Sequence, residues 1–350
     1  MLSVRAFKYT SPVIIYGLAL LAFSGRGIAT WGPMIYAWLA LPLAELFIQP
    51  DSRNFSKAEA EMAVKDRLYD YMLYIIVPLQ FGILYYFLST ISQAGLQWWE
   101  LAGRVWSMGL LCGTFGINVG HELGHRVNGF EQFLAKALLM TSLYMHFFIE
   151  HNKGHHKNVA THRDPSSARL NEPIYAFYLR TVIFSYLSAW KIANGEMRKK
   201  GLSPFHWNNE MIRAHVVQLI FVALIFIYFG LTPTLNFLLA AFIGIALLET
   251  VNYIEHYGLQ RKMSREGNYE RTMPKHSWNS NHILGRLMLF ELSRHSDHHY
   301  LASRKYQILQ HHEDAPQLPT GYPGSMIVAM MPPLWFYIMN KRIRKLEASG

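Results

Sequence analysis

The sequence has little charge and almost no cysteine. Only 16% of its 350 residues are charged and 51% are hydrophobic, whereas about a quarter of the residues are charged in an average soluble domain. A soluble globular fold is therefore disfavoured. The single cysteine, Cys112, excludes an internal disulfide framework and any cysteine-rich zinc or iron–sulfur site. Lys and Arg outnumber Asp and Glu by 33 to 23, and beside long apolar segments such an excess is expected in cytoplasmic loops rather than on a nucleic-acid-binding surface.

Six apolar segments predict transmembrane helices, which need about 20 mostly apolar residues. The first is short and resembles a signal-peptide core, but no small-residue cleavage site follows it. Lys and Arg cluster at both termini, in the second loop and before the fifth segment, whereas the opposite loops contain only Arg26. This alternation predicts that both termini are cytoplasmic. We therefore expect an all-α membrane protein, a single domain over residues 1–350. The predicted spans are residues 12–23, 31–48, 69–88, 103–120, 211–229 and 235–251.

Three further apolar stretches do not fit this alternation as spans. Residues 130–148 and 174–190 both lie between the fourth and fifth spans, and we expect helices there that pack at the cytoplasmic surface or dip into the bilayer. Residues 326–339 contain Pro332 and Pro333 and are short, which predicts an interfacial segment.

Histidine is the residue type in excess, with 17 copies. Nine of them are candidates for a metal site. Eight of the nine fall into three tight groups in which spacings of three or four residues recur. The ninth, His256, stands alone at the predicted cytoplasmic end of the sixth span. Such spacings place the imidazoles of a group on one face of a helix. Each group also lies on the cytoplasmic side of the charge-derived topology. The nine are His121, His125, His151, His155, His156, His256, His295, His298 and His299.

Neutral imidazole is the commonest protein metal ligand, and nine of them exceed what one tetrahedral zinc ion can use. Two metal ions with mainly nitrogen ligands are therefore expected, and iron, copper, zinc and manganese all remain chemically possible. His276 and His282 are weaker candidates for a ligand or supporting role. We expect ordinary hydrogen-bonded roles for the remaining histidines, which are His146, His162, His206, His215, His311 and His312.

The histidine groups resemble the three histidine boxes of membrane di-iron proteins, which include fatty-acyl desaturases, lipid hydroxylases and alkane hydroxylases. The residues between the histidines resemble most closely the integral-membrane alkane 1-monooxygenases, over about residues 50–335. The resemblance is carried by NVGHELGHR at residues 118–126, EHNKGHH at 150–156, VATHRDP at 159–165, NYIEHYGL at 252–259, WNSNH at 278–282, RHSDHH at 294–299 and DAPQLP at 314–319. Arg126 stands where lysine is common in the family.

The resemblance implies that the nine grouped histidines ligate two iron ions. It also implies conversion of the terminal methyl group of a medium-chain alkane to a primary alcohol with O2. Electrons would pass from NAD(P)H through a separate reductase and rubredoxin, since the chain has one cysteine and no redox domain. The implied location is the bacterial inner membrane, with the histidines on the cytoplasmic side, membrane lipid around the chain and no nucleic-acid partner.

Several alternatives stay open. A xylene or toluene methyl-hydroxylase, a fatty-acyl desaturase and a lipid hydroxylase would use the same di-iron chemistry. A metal transporter is disfavoured because its ligands are expected near the bilayer midplane. A haem-binding electron carrier is disfavoured because haem needs only one or two axial histidines.

Acidic residues near the histidines are expected to orient the imidazoles by accepting their second N–H. Glu255 and Asp297 are the preferred candidates for this role. Weaker candidates are Glu122, Glu150 and Asp164. Glu249 lies at membrane depth, where an unpaired carboxylate is costly, and is also suspected of a role.

Overall fold

The computed structural model describes residues 5–349, and its regular structure is helical. Within this range there is no β-strand, only isolated bridges that join Met263 to Tyr269 and Asn279 to Gln317. The all-α prediction is confirmed. The helices in chain order are α1 (Phe7–Ser24), α2 (Gly27–Glu45), α3 (Lys57–Lys65), α4 (Leu68–Thr90), α5 (98–124), α6 (Gly129–Met140), α7 (147–158), α8 (Ile174–Lys199), α9 (Glu210–Phe229), α10 (Leu231–His256), α11 (Ile283–Met288), α12 (His295–Tyr300), α13 (Tyr322–Ala329) and α14 (Pro332–Ser349).

Five helices of the described chain are long and apolar enough to cross a membrane, namely α1, α2, α4, α9 and α10. Four of them contain a predicted span in full, and α2 contains residues 31–45 of the predicted span 31–48. The remaining predicted span, residues 103–120, lies within α5, which is not among the five. Every residue from 107 to 124 is buried, so other helices rather than lipid surround this part of α5. A helix in that position can carry Gly, Thr and Asn without meeting lipid. The count of six spans therefore stays a prediction.

Helices α5 and α10 pack unusually closely. A Cβ atom on Gly113 would lie 2.6 Å from Leu247 Cδ2 and 3.0 Å from the carbonyl oxygen of Gly244. A Cβ atom on Gly244 would in turn lie 3.0 Å from the backbone nitrogen of Gly113. Only glycine at these two positions permits such an approach. It brings the C-terminal ends of α5 and α10, both of which carry histidine, to the same region.

The apolar stretch at residues 130–148 is divided between two helices. Helix α6 ends at Met140, Leu143 adopts a left-handed conformation with φ of 53°, and α7 begins at Phe147. This break turns α7 back toward the end of α5, as contacts such as the 3.2 Å hydrogen bond from Asn152 to the carbonyl of Gly124 show.

The other two stretches also form helices. Residues 174–190 belong to the longer α8, which buries small residues at four-residue spacing and exposes apolar ones such as Leu179 on the opposite face. Residues 326–339 span the junction of α13 and α14, which is broken before Pro332. Trp335 and Met339 are fully buried in a core with the end of α10. The interfacial location expected for this stretch stays a prediction.

Candidate metal centre

The structure brings all nine grouped histidines together in two adjacent sets. Within each set, the nitrogen atoms that could bind a metal lie within 4.8 Å of one another. The five-histidine set consists of His121, His125, His151, His156 and His298. The four-histidine set consists of His155, His256, His295 and His299.

The end of α10 places His256 because the chain that follows caps the helix. Tyr257 leaves the helical conformation and Gly258 has φ of 70°. The backbone N–H of Trp278 then donates to the carbonyl of Glu255 at 2.8 Å, and its indole N–H donates to the carbonyl of Tyr257 at 2.9 Å. These bonds satisfy carbonyl groups that the helix end leaves without a partner.

Helix α7 distributes its three histidines between the two sets. Residues His151–His155 form a π-helical turn, in which the backbone N–H of His156 donates to the carbonyl of His151. The Nε2 atoms of His151 and His156 consequently lie 3.0 Å apart, whereas Nε2 of His155 lies 3.2 Å from that of His299. The three rings still lie together, with centroids 4.6 to 5.9 Å apart, and the π-helical turn decides which set each ring joins.

Helix α12 is likewise shared between the sets. His298 Nε2 lies 3.0 Å from His121 Nε2, and His295 Nε2 lies 3.1 Å from His256 Nε2. His299 belongs with His295, four residues earlier. Helix α12 thus forms part of both sets, and the centroids of its three imidazole rings lie within 5.6 Å of one another, on one face of the helix as expected.

The protonation of the buried imidazoles suits metal binding. Burial lowers the pKa of His151, His156, His295 and His299 well below its ordinary value, and lowers that of His298 to about 3. These rings are therefore neutral near pH 7 and have a free lone pair, as metal ligands require. A buried collection of neutral nitrogen donors whose Nε2 atoms converge fits two metal ions.

Asp164 orients His155. Its Oδ2 atom lies 2.9 Å from Nδ1 of His155, and both side chains are buried. Burial opposes the charged form of His155, but the adjacent Asp164 carboxylate outweighs it and raises the pKa of the ring. Ser167 donates to the same Oδ2 at 2.5 Å, and the backbone N–H of Ser166 donates to Oδ1 at 3.1 Å. The carboxylate is held so that Nε2 of His155 faces the four-histidine set.

Glu255 reaches the four-histidine set directly. Its Oε2 atom lies 3.1 Å from Nε2 of His295, and its Oε1 atom accepts a 2.7 Å hydrogen bond from the hydroxyl of Tyr322. Sequence reasoning missed Tyr322. It is 67 residues from Glu255 in the chain, and no motif spacing connects the two.

The hydrogen-bond partners of Asp297 among the described residues lie outside the two histidine sets. Its carboxylate contacts the guanidinium of Arg304, accepts from the backbone N–H of Gln310 at 2.9 Å and lies 2.6 Å from Nε2 of His312. These contacts fasten α12 to the segment that follows it. His312, expected to have an ordinary role, is part of this attachment.

Glu122 and Glu150, the weaker acidic candidates, differ in their surroundings. Glu122 accepts from Arg126 at 2.8 Å, and Arg126 also lies 3.4 Å from Asp70. Arg126 thereby joins the end of α5 to α4. Glu150 has one oxygen without a hydrogen-bond partner. Burial is the main cause that raises the pKa of Glu150 to about 8, and repulsion from Asp164 adds to it.

Glu249 is buried but well paired. The hydroxyl groups of Tyr144 and Thr181 each donate to its carboxylate at 2.8 Å, and the amide of Asn252 donates at 3.1 Å. Thr181 and Tyr144 tie α10 to α8 and to the turn before α7, and with Asn252 they supply the hydrogen bonds that a buried carboxylate needs.

The other histidines lie outside both sets. His276 contacts Glu270 at 3.2 Å, and His282 contacts the hydroxyl of Ser280 at 3.0 Å. His215 contacts Tyr186 at 2.9 Å. Within residues 5–349 the following also belong to neither set: His146, His162, His206, His311 and His312.

A narrow apolar cavity of about 70 Å³ lies near the histidine sets. Leu110 and Leu247 line it, together with a few polar side chains such as Asn118 and Tyr322. Asn118 precedes His121 by about one helical turn, so one end of the cavity lies at the metal-binding region. Among the described residues that line this cavity there is no Lys, Arg, Asp, Glu or His.

Comparison with known proteins identifies the class. Residues 97–326 match the family model of fatty acid desaturases. With five apolar helices and two buried histidine sets, this match defines an integral-membrane oxidoreductase with a histidine-rich metal site.

Individual relatives narrow the class to one family. The alkane 1-monooxygenase of Pseudomonas putida is 36% identical over 338 residues, which cover 96% of this chain and 83% of the relative. The alkane 1-monooxygenase of Acinetobacter baylyi is 37% identical over 341 residues, covering 95% and 83%. The hydroxylase component of xylene/toluene monooxygenase from Pseudomonas putida is 27% identical over 277 residues, covering 78% and 73%. The chain belongs to the alkane 1-monooxygenase family and is a monooxygenase, for which O2 is a co-substrate.

Proposed function

We propose that this protein hydroxylates the terminal methyl group of medium-chain alkanes to 1-alkanols at a di-iron site. The observation that carries the proposal is the position of the two histidine sets at one end of an apolar cavity without charged lining. An alkane offers no polar group for recognition, so the shape of such a cavity must select the reacting carbon.

The proposed ligands are the nine histidines in the two sets. A monooxygenase needs a metal that changes oxidation state, which zinc does not do, and the resemblance to membrane di-iron proteins supports iron over copper and manganese. Bound iron would activate O2, with one oxygen atom entering the C–H bond and the other leaving as water after two electrons and two protons are supplied.

Acidic residues of the protein hold the proposed histidine ligands in position. Asp164 holds His155 in one tautomer through the 2.9 Å contact with Nδ1. Glu255 lies 3.1 Å from His295 Nε2 and is itself held by Tyr322. We propose that Asp164 orients His155 through the nitrogen that does not bind metal. Glu255 faces the metal-binding nitrogen of His295, so it would act within the four-histidine set itself. Asp297 would act at a greater distance, by fixing α12 to the following segment through Arg304.

Electrons would come from a separate rubredoxin, reduced by an NAD(P)H-dependent reductase. A basic surface beside the histidine sets supports this proposal: Lys157, Arg163, Lys262 and Arg265 are exposed there. Arg261 holds the two parts of this surface together, since its guanidinium donates to the carbonyl of Lys157 at 2.9 Å. Lys157 directly follows the α7 histidines, so an acidic carrier bound here would be close to the metal ligands.

Charge reversal tests this docking surface. The double variant Lys157→Glu, Arg163→Glu should raise the KM for rubredoxin about tenfold and leave iron content unchanged, because exposed charges mainly steer association. The control Arg344→Glu, on α14, should leave that KM unchanged. Equal KM values in both variants would refute docking at this surface.

We further propose that the protein lies in the bacterial inner membrane with both termini and the histidine sets on the cytoplasmic side. The distribution of Lys and Arg between the loops supports this orientation. Reporter fusions at residues 93 and 232 should report the periplasmic side. Cytoplasmic signals from both positions would refute the orientation.

Product analysis tests the function. Cells that express the chain with a rubredoxin and its reductase should convert alkanes within the C6 to C16 range to 1-alkanols, and a His299→Ala variant should not. Benzylic alcohol from p-xylene as the main product would favour a xylene methyl-hydroxylase. A double bond in a supplied fatty acid would favour a desaturase. The absence of hydroxylated product from every hydrocarbon would refute the proposal.

A further inference from the structure

Glu45, the last residue of α2, is a buried carboxylate with one unpaired oxygen. The side chain is 5% exposed. Its Oε1 atom accepts a 2.8 Å hydrogen bond from the backbone N–H of Gly285, whereas its Oε2 atom is buried without a hydrogen-bond partner. No ion pair joins Glu45 to a basic residue within residues 5–349. Such an unpaired oxygen is costly unless a ligand or water supplies a donor.

The Glu45 carboxylate lies at a boundary between two cavities. One is the apolar cavity beside the histidine sets, whose lining includes Leu41 and Gly285. The other, which we call the vestibule, is lined by Glu45, Gly321 and the polar side chains Gln49, His282 and Thr320.

The backbone on both sides leaves room for this carboxylate. A Cβ atom on Gly285 would lie 3.0 Å from Glu45 Oε1, and one on Gly321 would overlap Glu45 Oε2. Glycine at both positions therefore allows the carboxylate to sit between the cavities. The adjacent Tyr322 extends to Glu255 beside the four-histidine set, so the boundary is at the end of the apolar cavity near the metal-binding region.

The vestibule opens where α2 ends. Leu46 and Phe47, which follow Glu45 directly, are 68% and 85% exposed. The charged residues Asp51 and Arg53 come only a few positions later. This change from apolar to charged sequence is typical of a membrane–water interface, where an amphiphilic molecule is favourably released.

We propose that Glu45 binds the hydroxyl group of the primary alcohol product and that the vestibule is the route by which this alcohol leaves. The inference rests on the proposed function. An alkane cannot donate a hydrogen bond. Its passage beside the Glu45 carboxylate would therefore keep water from that carboxylate without supplying a hydrogen bond in return, which costs free energy. A 1-alkanol donates its O–H to Oε2 and is thereby the ligand that this boundary admits. Glu45 thus distinguishes the alcohol product from the alkane substrate by the hydroxyl group, which only the product carries.

Equilibrium binding of radiolabelled 1-decanol and n-decane tests the proposal without turnover. The purified iron-loaded protein would be measured in lipid nanodiscs, with empty discs subtracted. Glu45→Leu should weaken 1-decanol binding about tenfold, since hydrogen bonds to charged groups are the stronger ones, and change n-decane binding less than about twofold. The exposed-carboxylate control Glu313→Leu should change neither affinity.

Glu45→Gln provides a second variant if Glu45→Leu does not fold, as judged by iron content and gel filtration. Glutamine can keep the bond from Gly285 and places an amide nitrogen where Oε2 was. It should weaken 1-decanol binding by about threefold, because the alcohol oxygen can still accept from the amide.

Two results would overturn the proposal: unchanged 1-decanol affinity in the folded variants, or an equal loss of 1-decanol and n-decane affinity. The proposed function fails separately. Selective loss of 1-decanol binding in a protein that hydroxylates no alkane would support the Glu45 site and refute the proposed function. Alkane turnover with unchanged 1-decanol affinity in the variants would refute the Glu45 site alone.

Discussion

The Nε2 atoms of His151 and His156 lie 3.0 Å apart, whereas the ring of His155, between them in the sequence, faces His299. One π-helical turn in α7 produces this division, since it puts residues five apart in line. Three neighbouring histidines can therefore serve two sets, and a single regular α-helix would not place them in this way.

Removal of His256 should empty the four-histidine set. We expect His256→Ala to lower the iron content from about two to about one per chain and to abolish turnover, because three ligands remain where four converge. Elemental analysis of the purified protein measures this. The exposed His206 provides the control His206→Ala, which should keep both irons. Full iron content and turnover in His256→Ala would exclude it as a ligand.

Asp164 should control metal affinity through His155. Asp164→Asn preserves the size of the side chain but removes the charge that holds Nδ1–H of His155. Partners of this kind typically contribute 10- to 100-fold to metal affinity or activity, so we expect iron to be lost to a chelator at correspondingly lower concentration. The exposed Asp314→Asn should behave as wild type. Wild-type chelator resistance in Asp164→Asn would refute the role.

Leu110 should influence the range of alkane lengths. It lines the apolar cavity and also a neighbouring apolar groove that contains the exposed Trp106. Leu110→Ala enlarges the space between them and should shift product formation toward longer alkanes, as measured by chromatography after incubation with a C6 to C16 mixture. Leu219→Ala, on the exposed face of α9, should leave the profile unchanged. A wild-type profile in Leu110→Ala would contradict a substrate role for the cavity.

Glu291 should make stability depend on pH in acid. Burial alone would raise its pKa, but Arg286 and Lys8 outweigh burial and lower the pKa to about 2 from the ordinary 4.5. A depressed folded-state pKa gives stability that is present above about 4.5 and is lost as the pH falls toward 2. The difference corresponds to about 3 kcal/mol.

Comparison of variants isolates this contribution from that of other carboxylates. Thermal unfolding between pH 3 and 7 should show that Glu291→Gln lowers the Tm most at pH 7, and that its Tm approaches that of the wild type as the pH falls. Glu313→Gln, at an exposed position, should follow the wild type throughout. A Tm difference for Glu291→Gln that does not vary with pH would contradict the shifted pKa.

The sequence by itself determined the chemical character of this protein. Low charge and long apolar segments indicate helices in a membrane, and five such helices are present. The histidines in the quoted motifs were identifiable because clustered imidazoles are rare without a function, and all nine meet in space. The lone His256 was identifiable only through its place at the end of an apolar segment and the family motif around it.

The tertiary structure alone decided how these residues are combined. Division of the histidines into sets depends on a π-helical turn and on the crossing of α5 and α10 at Gly113 and Gly244, neither of which helical spacing predicts. The tertiary structure also decided that Asp297 contacts Arg304 and that Tyr322 contacts Glu255. Hydrophobic and helical periodicity is a local property of the chain. The crossing of α5 and α10 and the contact between Tyr322 and Glu255, which are 67 residues apart, arise only when the helices pack.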